Sequence, residues 1–95
     1  MIPLQHCMPA ALAELLSRQP LSAAKVEFAW RTAVGAAIGR ATTVRLADDG
    51  TLEVWMLDAR WGLEVERSAP LIQIRLETLL GPEVVRRIRL RPGGR

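Results

Sequence analysis

Apolar residues along this chain switch from helical spacing to strict alternation and back. Of all the features of the sequence, this change of period restricts the possible folds most strongly. Between Ser22, a suitable helix N-cap, and Gly39 they recur every three or four positions, as on the buried face of a helix. We expect Gly39 to end that helix in a left-handed conformation. From residue 43 to residue 57 they alternate with polar residues, which predicts a β-hairpin turning at residues 48–50, Asp-Asp-Gly.

The helical period returns after the hairpin. Asp58 is placed to cap a further helix, whose apolar stripe begins with Trp61. Pro70 falls inside this pattern, so we expect a kink or a break into two short helices near residues 68–70. A Gly-Pro pair at residues 81–82 then marks the end of the helical region.

Residues 84–91 alternate apolar residues with arginine, which predicts a last strand with one apolar and one basic face. Residues 9–19 carry a helical pattern of their own, so the predicted element order is α-α-β-β-α-α-β. Without the first helix this order is αββααβ, that of a type II KH-like domain. We therefore predict an α+β, KH-like fold with an extra N-terminal helix, in which helices cover one face of a three-stranded sheet.

A chain of 95 residues forms a single domain of this kind. We expect a flexible N-terminus at residues 1–8, one folded domain at residues 9–91 and a flexible tail at residues 92–95. No uncharged run approaches the roughly 20 residues of a membrane helix, and the first residues lack the basic region of a signal peptide. The only cysteine, Cys7, forms no intramolecular disulfide and fits a reducing compartment. These features predict a cytoplasmic protein without membrane contact.

Few residues offer the chemistry of catalysis. The chain has one histidine (His6), one cysteine and no tyrosine, and it has neither a Walker-type loop nor a GxGxxG motif. Asp48 and Asp49 precede a glycine between two strands, which is typical of a turn rather than of a catalytic carboxylate pair. We predict no enzymatic activity, no cofactor, no metal and no small-molecule substrate.

The basic charge is concentrated near the C-terminal end. The net charge is +3, and five of the twelve arginines lie in the last twelve residues. Alternation puts the arginines of the last strand on the open face of the sheet. In the hairpin, Leu52, Val54 and Met56 point one way and Glu53 and Trp55 the other, so the hairpin adds residues to this face if its apolar side faces the core. Guanidinium groups pair with phosphates and a ring stacks on a base, so this face is a candidate nucleic-acid platform. Its candidate residues are Arg45, Trp55, Arg86, Arg87, Arg89 and Arg91.

Two other tryptophans and one missing motif qualify this prediction. Trp30 and Trp61 lie on the apolar stripes of their helices, where tryptophan is usually packed in the core. KH domains that bind RNA clamp its backbone with a GXXG loop between paired helices. Here that junction, residues 67–70, reads Arg-Ser-Ala-Pro, so the usual KH grip is missing.

Several short motifs follow one another in a distinctive order between about residues 26 and 91. They are Trp30 with Val34-Gly35, Gly-Thr-Leu-Glu-Val at residues 50–54, Trp61, Ala-Pro-Leu at residues 69–71, the run at residues 76–81, and Val-Val-Arg-Arg-Ile-Arg at residues 84–89. In these motifs the sequence resembles the DciA-like proteins, a bacterial family. The resemblance implies a KH-like domain and a role in DNA replication. Members of that family bind DNA and the replicative hexameric helicase, and they promote helicase loading.

The resemblance also assigns residues. It marks Trp30, Gly35 and Trp61 as family hallmarks with a structural or partner-binding role, and it matches the arginines at residues 86–89 to the family's basic last strand. The leading hypothesis is therefore a replication accessory that binds DNA, weakly and with strong salt dependence, and that binds the replicative helicase. One alternative is a protein-only adaptor of the same fold, whose arginines keep a solvated strand face soluble. Another is an RNA-binding KH-like module.

Overall fold

The computed structural model describes residues 18–93. The N-terminal helix predicted at residues 9–19 and the flexible N-terminus predicted at residues 1–8 lie almost entirely outside the described residues, as do residues 94–95. The fold is α+β. In chain order its elements are α1 (Ala23–Val34), α2 (Ala36–Arg40), β1 (Thr42–Leu46), β2 (Thr51–Met56), a short 3-10 helix (Ala59–Trp61), α3 (Gly62–Leu80) and β3 (Arg87–Pro92).

The three strands form one sheet in the order β1-β2-β3. β1 runs antiparallel to β2, as the hairpin predicts, while β3 lies on the other side of β2 and parallel to it. Val54, at the centre of β2, pairs with Val44 on one side and Leu90 on the other. A parallel neighbour requires a crossover, and α3 with its flanking loops supplies it.

The core lies on one side of this sheet. Leu52, Val54 and Met56 of β2 are buried there, whereas Glu53 and Trp55 lie half-buried on the opposite face, as the alternation predicts. α1 and α3 pack over the buried side. Within residues 18–93, no helix is both long enough and apolar enough to cross a membrane.

The helix predicted between Ser22 and Gly39 is wrong at its C-terminal end. Ser22 caps α1 as expected, accepting a hydrogen bond from the backbone N–H of Lys25, but α1 ends at Gly35 with φ 88°. Gly39 lies inside the short α2 instead. A straight helix would bring Ala37 onto the buried face, while the turn at Gly35 leaves it exposed and keeps only its neighbour Ile38 in the core.

The predicted break near residues 68–70 is also wrong, because α3 is continuous through Pro70. Pro70 is exposed, and the carbonyl that lacks its usual N–H donor belongs to Glu66, which is exposed as well. Val65 and Ile72, on either side, are both buried, so both halves of the helix are anchored in the core. One long helix, preceded by a 3-10 turn, therefore stands where the αββααβ order has two.

The last strand starts three residues later than predicted. Val84 and Val85 precede it in a turn, where Val85 is buried, and the ladder begins at Arg87. The carbonyl of Gly50 accepts hydrogen bonds from the backbone N–H groups of Arg86 (2.7 Å) and Arg87 (3.4 Å). β3 then runs through Pro92, one residue into the segment predicted as a tail. The hairpin turn thus fixes the place where β3 joins the sheet.

Trp30 is a core residue, as expected from its place on the apolar stripe. Its side chain is 1% exposed, and its indole N–H donates to Thr42 Oγ1 at 2.8 Å. The Thr42 hydroxyl in turn donates to the backbone oxygen of Ile38 at 2.7 Å. These two hydrogen bonds, from Trp30 and from Thr42, join α1, α2 and β1.

Trp61 is half-buried and packs against the same core.

Candidate nucleic-acid interface

The side of the sheet away from the core gathers most of the predicted binding residues. Within the described residues no helix packs on it, and we call it the arginine face. Its charged and aromatic members are Arg45 of β1, Glu53 and Trp55 of β2, and Arg87, Arg89 and Arg91 of β3. The strand register aligns them in rows: Arg45 with Glu53 and Arg89, Trp55 with Arg91, and Thr51 with Arg87.

Glu53 lies at the centre of the arginine face, and it binds two of the arginines. Its Oε1 is 3.2 Å from Nη1 of Arg45, and its Oε2 is 3.1 Å from Nη2 of Arg91. The carboxylate is 15% exposed, against 60% for the side chain of Arg45 and 40% for that of Arg91. One carboxylate therefore bridges the two outer strands across β2 and partly neutralises the face.

Sequence reasoning placed Glu53 on this face but gave it no role. The signal was present, because the hairpin register sets Glu53 directly opposite Arg45, and opposite charges at such positions attract. The contact with Arg91 was not accessible from the hairpin alone. It depends on β3 lying parallel to β2 in this register.

Arg87 is held by the hairpin turn. Its Nη1 donates to Thr51 Oγ1 at 2.8 Å and lies 3.4 Å from Oδ2 of Asp49. Asp49 also accepts a hydrogen bond from the backbone N–H of Thr51, as predicted for a turn residue. That N–H bond, with a smaller contribution from the charge of Arg87, lowers the pKa of the Asp49 carboxyl. The turn thus orients one arginine as well as reversing the chain.

Arg89 and Arg86 occupy different settings. Arg89 is exposed in the middle of β3, and it forms no ion pair with any described residue. Arg86 precedes β3, so the ladder does not place it among the face residues; it lines a groove with Leu46 and Val84. Its aliphatic stem packs against Gly50, where an added Cβ would lie 2.7 Å from Arg86 Cγ. The structure therefore brings together every predicted binding residue except Arg86.

Trp55 is the aromatic residue of the arginine face. It is half-buried on β2, with Thr43 and Arg91 as its register neighbours. Because the residue is only half-buried, part of its surface is open to solvent, as stacking on a base requires. Stacking on a base remains a prediction for this residue.

The three family-hallmark residues lie elsewhere. Trp30 is in the core, Gly35 separates α1 from α2, and Trp61 ends the 3-10 helix. Asp58 caps that helix by accepting from the backbone N–H of Arg60, and its carboxylate pairs with the Arg60 guanidinium. These hydrogen bonds lower the pKa of Asp58 to about 2. None of the three hallmarks lies on the arginine face.

No group of three or more His, Cys, Asp or Glu side chains within residues 18–93 is placed to hold a metal ion. His6 and Cys7 lie outside the described residues. The arginine face can bind a ligand through the positive charge of its arginines and the exposed part of its aromatic ring.

The chain matches the model of a known protein family. A family model described as "Dna[CI] antecedent, DciA" matches residues 3–90, nearly the whole chain and almost all of the described fold. No curated protein matches the chain significantly.

Proposed function

The chain belongs to the DciA family, and from this premise we propose that it is a non-enzymatic accessory of DNA replication. In this proposal it acts in the cytoplasm, binds DNA through the arginine face and engages the replicative hexameric helicase to promote helicase loading. The family supports the replication role, and the charge pattern of the sheet supports the DNA contact.

The observation that carries the DNA contact is the row of arginines on β3. Arg87, Arg89 and Arg91 alternate along one side of the strand, about 6.6 Å apart. A phosphate backbone laid along β3 meets all three, and Arg45 extends the positive surface across the sheet. Such contacts read charge rather than sequence, so we expect weak, salt-dependent binding to single-stranded or tailed DNA.

We also propose that the domain is KH-like, with the continuous α3 in place of two helices. A KH domain of the usual kind grips nucleic acid at a GXXG loop between its helices. Here α3 passes through residues 67–70 without a loop. This supports binding on the open sheet face rather than at a helix junction.

The test compares two charge reversals of equal size. Arg89→Glu lies on the arginine face, whereas Arg40→Glu changes an exposed arginine at the end of α2. We expect Arg89→Glu to weaken DNA binding by about tenfold at 50 mM salt and to flatten the salt dependence by about 0.7 for each phosphate that the variant no longer binds. Arg40→Glu keeps the slope of the wild type.

Fluorescence anisotropy with a single-strand-tailed duplex at about 50 and 200 mM salt measures both quantities. Equal weakening of DNA binding in the two variants would show that only net charge matters. It would refute the proposal that DNA binds to the arginine face. Tighter binding of RNA than of DNA of the same sequence would favour an RNA-binding module, since the 2′-hydroxyl distinguishes the two.

A protein-only adaptor is the second candidate, and one observation favours it. Large apolar side chains are exposed on the outer side of α3, away from the core. Apolar contacts persist at ionic strengths that abolish phosphate contacts. If the chain fails to bind DNA at low salt but binds the helicase at high salt, this candidate replaces the first.

A further inference from the structure

α3 has two apolar faces. The first, buried in the core, includes Val65, Ile72 and Leu76. The second points the opposite way, since at 100° per residue Leu63 and Ile74 lie about half a turn from Ile72. We call it the outer stripe, and its members are Leu63, Pro70, Leu71 and Ile74.

The outer stripe exposes three large aliphatic side chains. Leu63 is 57% exposed, Leu71 is 48% and Ile74 is 59%. They fall at i, i+8 and i+11 on one side of the helix, where Pro70 adds apolar surface and Arg67, four residues from both Leu63 and Leu71, lies between the apolar side chains. Exposed apolar side chains grouped on one side of a helix commonly mark an interaction surface.

The charges beside the outer stripe identify what it attracts. Glu64, Glu66 and Glu77 are exposed on its flanks, and the one exposed arginine of α3, Arg67, lies within the stripe itself, so the acidic groups remain in excess. The arginine face has the opposite excess and lies beyond the core on the far side of the sheet. A polyanion is therefore repelled from the outer stripe, while a partner with basic groups beside apolar ones is complementary to it.

A second copy of this chain fits less well. Two outer stripes in contact would bring their glutamates together, and like charges in an interface oppose association. Three half-exposed aliphatic side chains also present far less than the roughly 800 Å² per partner of a stable interface. A partner helix can add contacts of its own to the stripe and its charged flanks.

We propose that the outer stripe docks an amphipathic helix of a partner protein, one that carries lysine or arginine beside its apolar face. The proposal rests on the proposed function for the existence of a protein partner, and it names the surface and the chemistry of that contact. Because the outer stripe and the arginine face lie on opposite sides of the domain, partner and DNA bind at the same time.

The first test uses two synthetic helical peptides, each roughly 18 residues long, with the same leucine face and with either lysine or glutamate beside it. The variants of the full chain are Ile74→Glu in the outer stripe and Leu57→Glu, a control with a similarly exposed apolar residue elsewhere. We expect the wild type to bind the lysine peptide about tenfold more tightly than the glutamate peptide. Ile74→Glu loses this binding and Leu57→Glu keeps it.

Equal binding of the two peptides, or full binding by Ile74→Glu, overturns the proposal. Circular dichroism and urea unfolding confirm that both variants remain folded. Two other occupants have their own signatures. A wild-type dimer that becomes a monomer in Ile74→Glu identifies a second copy, and a large gain in peptide binding by Leu12→Glu/Leu16→Glu identifies the chain's own N-terminal segment; either result overturns the proposal.

The second test repeats the comparison with the purified replicative helicase. The proposal expects Ile74→Glu to lose helicase binding while Leu57→Glu and Arg89→Glu retain it. If the helicase binds the wild type and Ile74→Glu equally, the outer stripe is not its docking surface, while the proposed function stands. If the helicase binds neither the wild type nor any variant, the proposed function fails. The peptide comparison alone then tests whether the outer stripe is a docking surface.

Discussion

Replacing Glu53 by glutamine is expected to strengthen DNA binding. The carboxylate holds Arg45 at 3.2 Å and Arg91 at 3.1 Å, so it competes with a phosphate for both guanidinium groups. Glutamine keeps the shape of the side chain and one carbonyl oxygen but removes the charge. In Glu53→Gln the two arginines become available to DNA, and we expect tighter binding with a steeper dependence on salt.

The size of the effect follows from counterion release. One added phosphate contact on a single strand changes the salt slope by about 0.7, which corresponds to about eightfold in affinity at 50 mM salt and about threefold at 200 mM. Two contacts, one for each released arginine, give about sixtyfold and about ninefold. Removing two partly exposed ion pairs costs less than about 2 kcal/mol of folding free energy, so the variant stays folded.

Anisotropy titrations at several salt concentrations measure both the affinity and the slope. Glu66→Gln is the matched control, because it makes the same change in net charge on the outer side of α3. A slope in Glu53→Gln that equals that of the wild type would refute the reasoning, and so would the same gain in Glu66→Gln. In the first case Arg45 and Arg91 do not contact phosphate, and in the second the effect is one of net charge.

Three further predictions concern the fold. Thr42→Val leaves the buried indole N–H of Trp30 without its acceptor and should cost about 1–3 kcal/mol in urea unfolding, whereas Thr42→Ser keeps the hydroxyl and most of the stability. Gly35→Ala forces a side chain to φ 88° and should cost about 1–2 kcal/mol, while Gly62→Ala, at φ −57° with open space around it, should be neutral or stabilising in the same assay. The lowered pKa of Asp58 means that its contribution to stability is complete above pH 3.8 and declines as the pH falls towards about 2; the difference in unfolding midpoint between the wild type and Asp58→Asn should therefore shrink over that range.

Local patterns predicted the parts of the fold that local interactions determine. The alternation in β2 put Leu52 and Val54 in the core and Glu53 and Trp55 on the other face, as the structure shows. The burial of Trp30 followed from its place on a helical stripe. Both inferences need only the geometry of one element and the location of the core.

The errors arose where contacts distant in sequence choose between local options. Gly35 and Gly39 are both able to end a helix; the chain turns at Gly35, after which Ile38 packs in the core and Ala37 is exposed. Pro70 usually interrupts a helix, but here it lies on the exposed side of α3 between residues anchored in the core. In each case tertiary packing overrode a valid local preference.

The same holds for the candidate site: the sequence predicted which residues lie on the arginine face, but not which of them form ion pairs. The arginine alternation placed the cations, yet their ion pairs depend on how β3 pairs with β2. That pairing begins at Gly50, whose carbonyl accepts from Arg86 and whose missing side chain leaves room for the Arg86 stem. The turn that the sequence predicts as a simple reversal therefore sets the register of β3. In that register Arg89 lies directly opposite Glu53, yet the carboxylate pairs with the diagonal neighbour Arg91. Arg89 is thus left as the cation of β3 without an ion pair among the described residues, which is the physical reason for choosing it for the charge-reversal test.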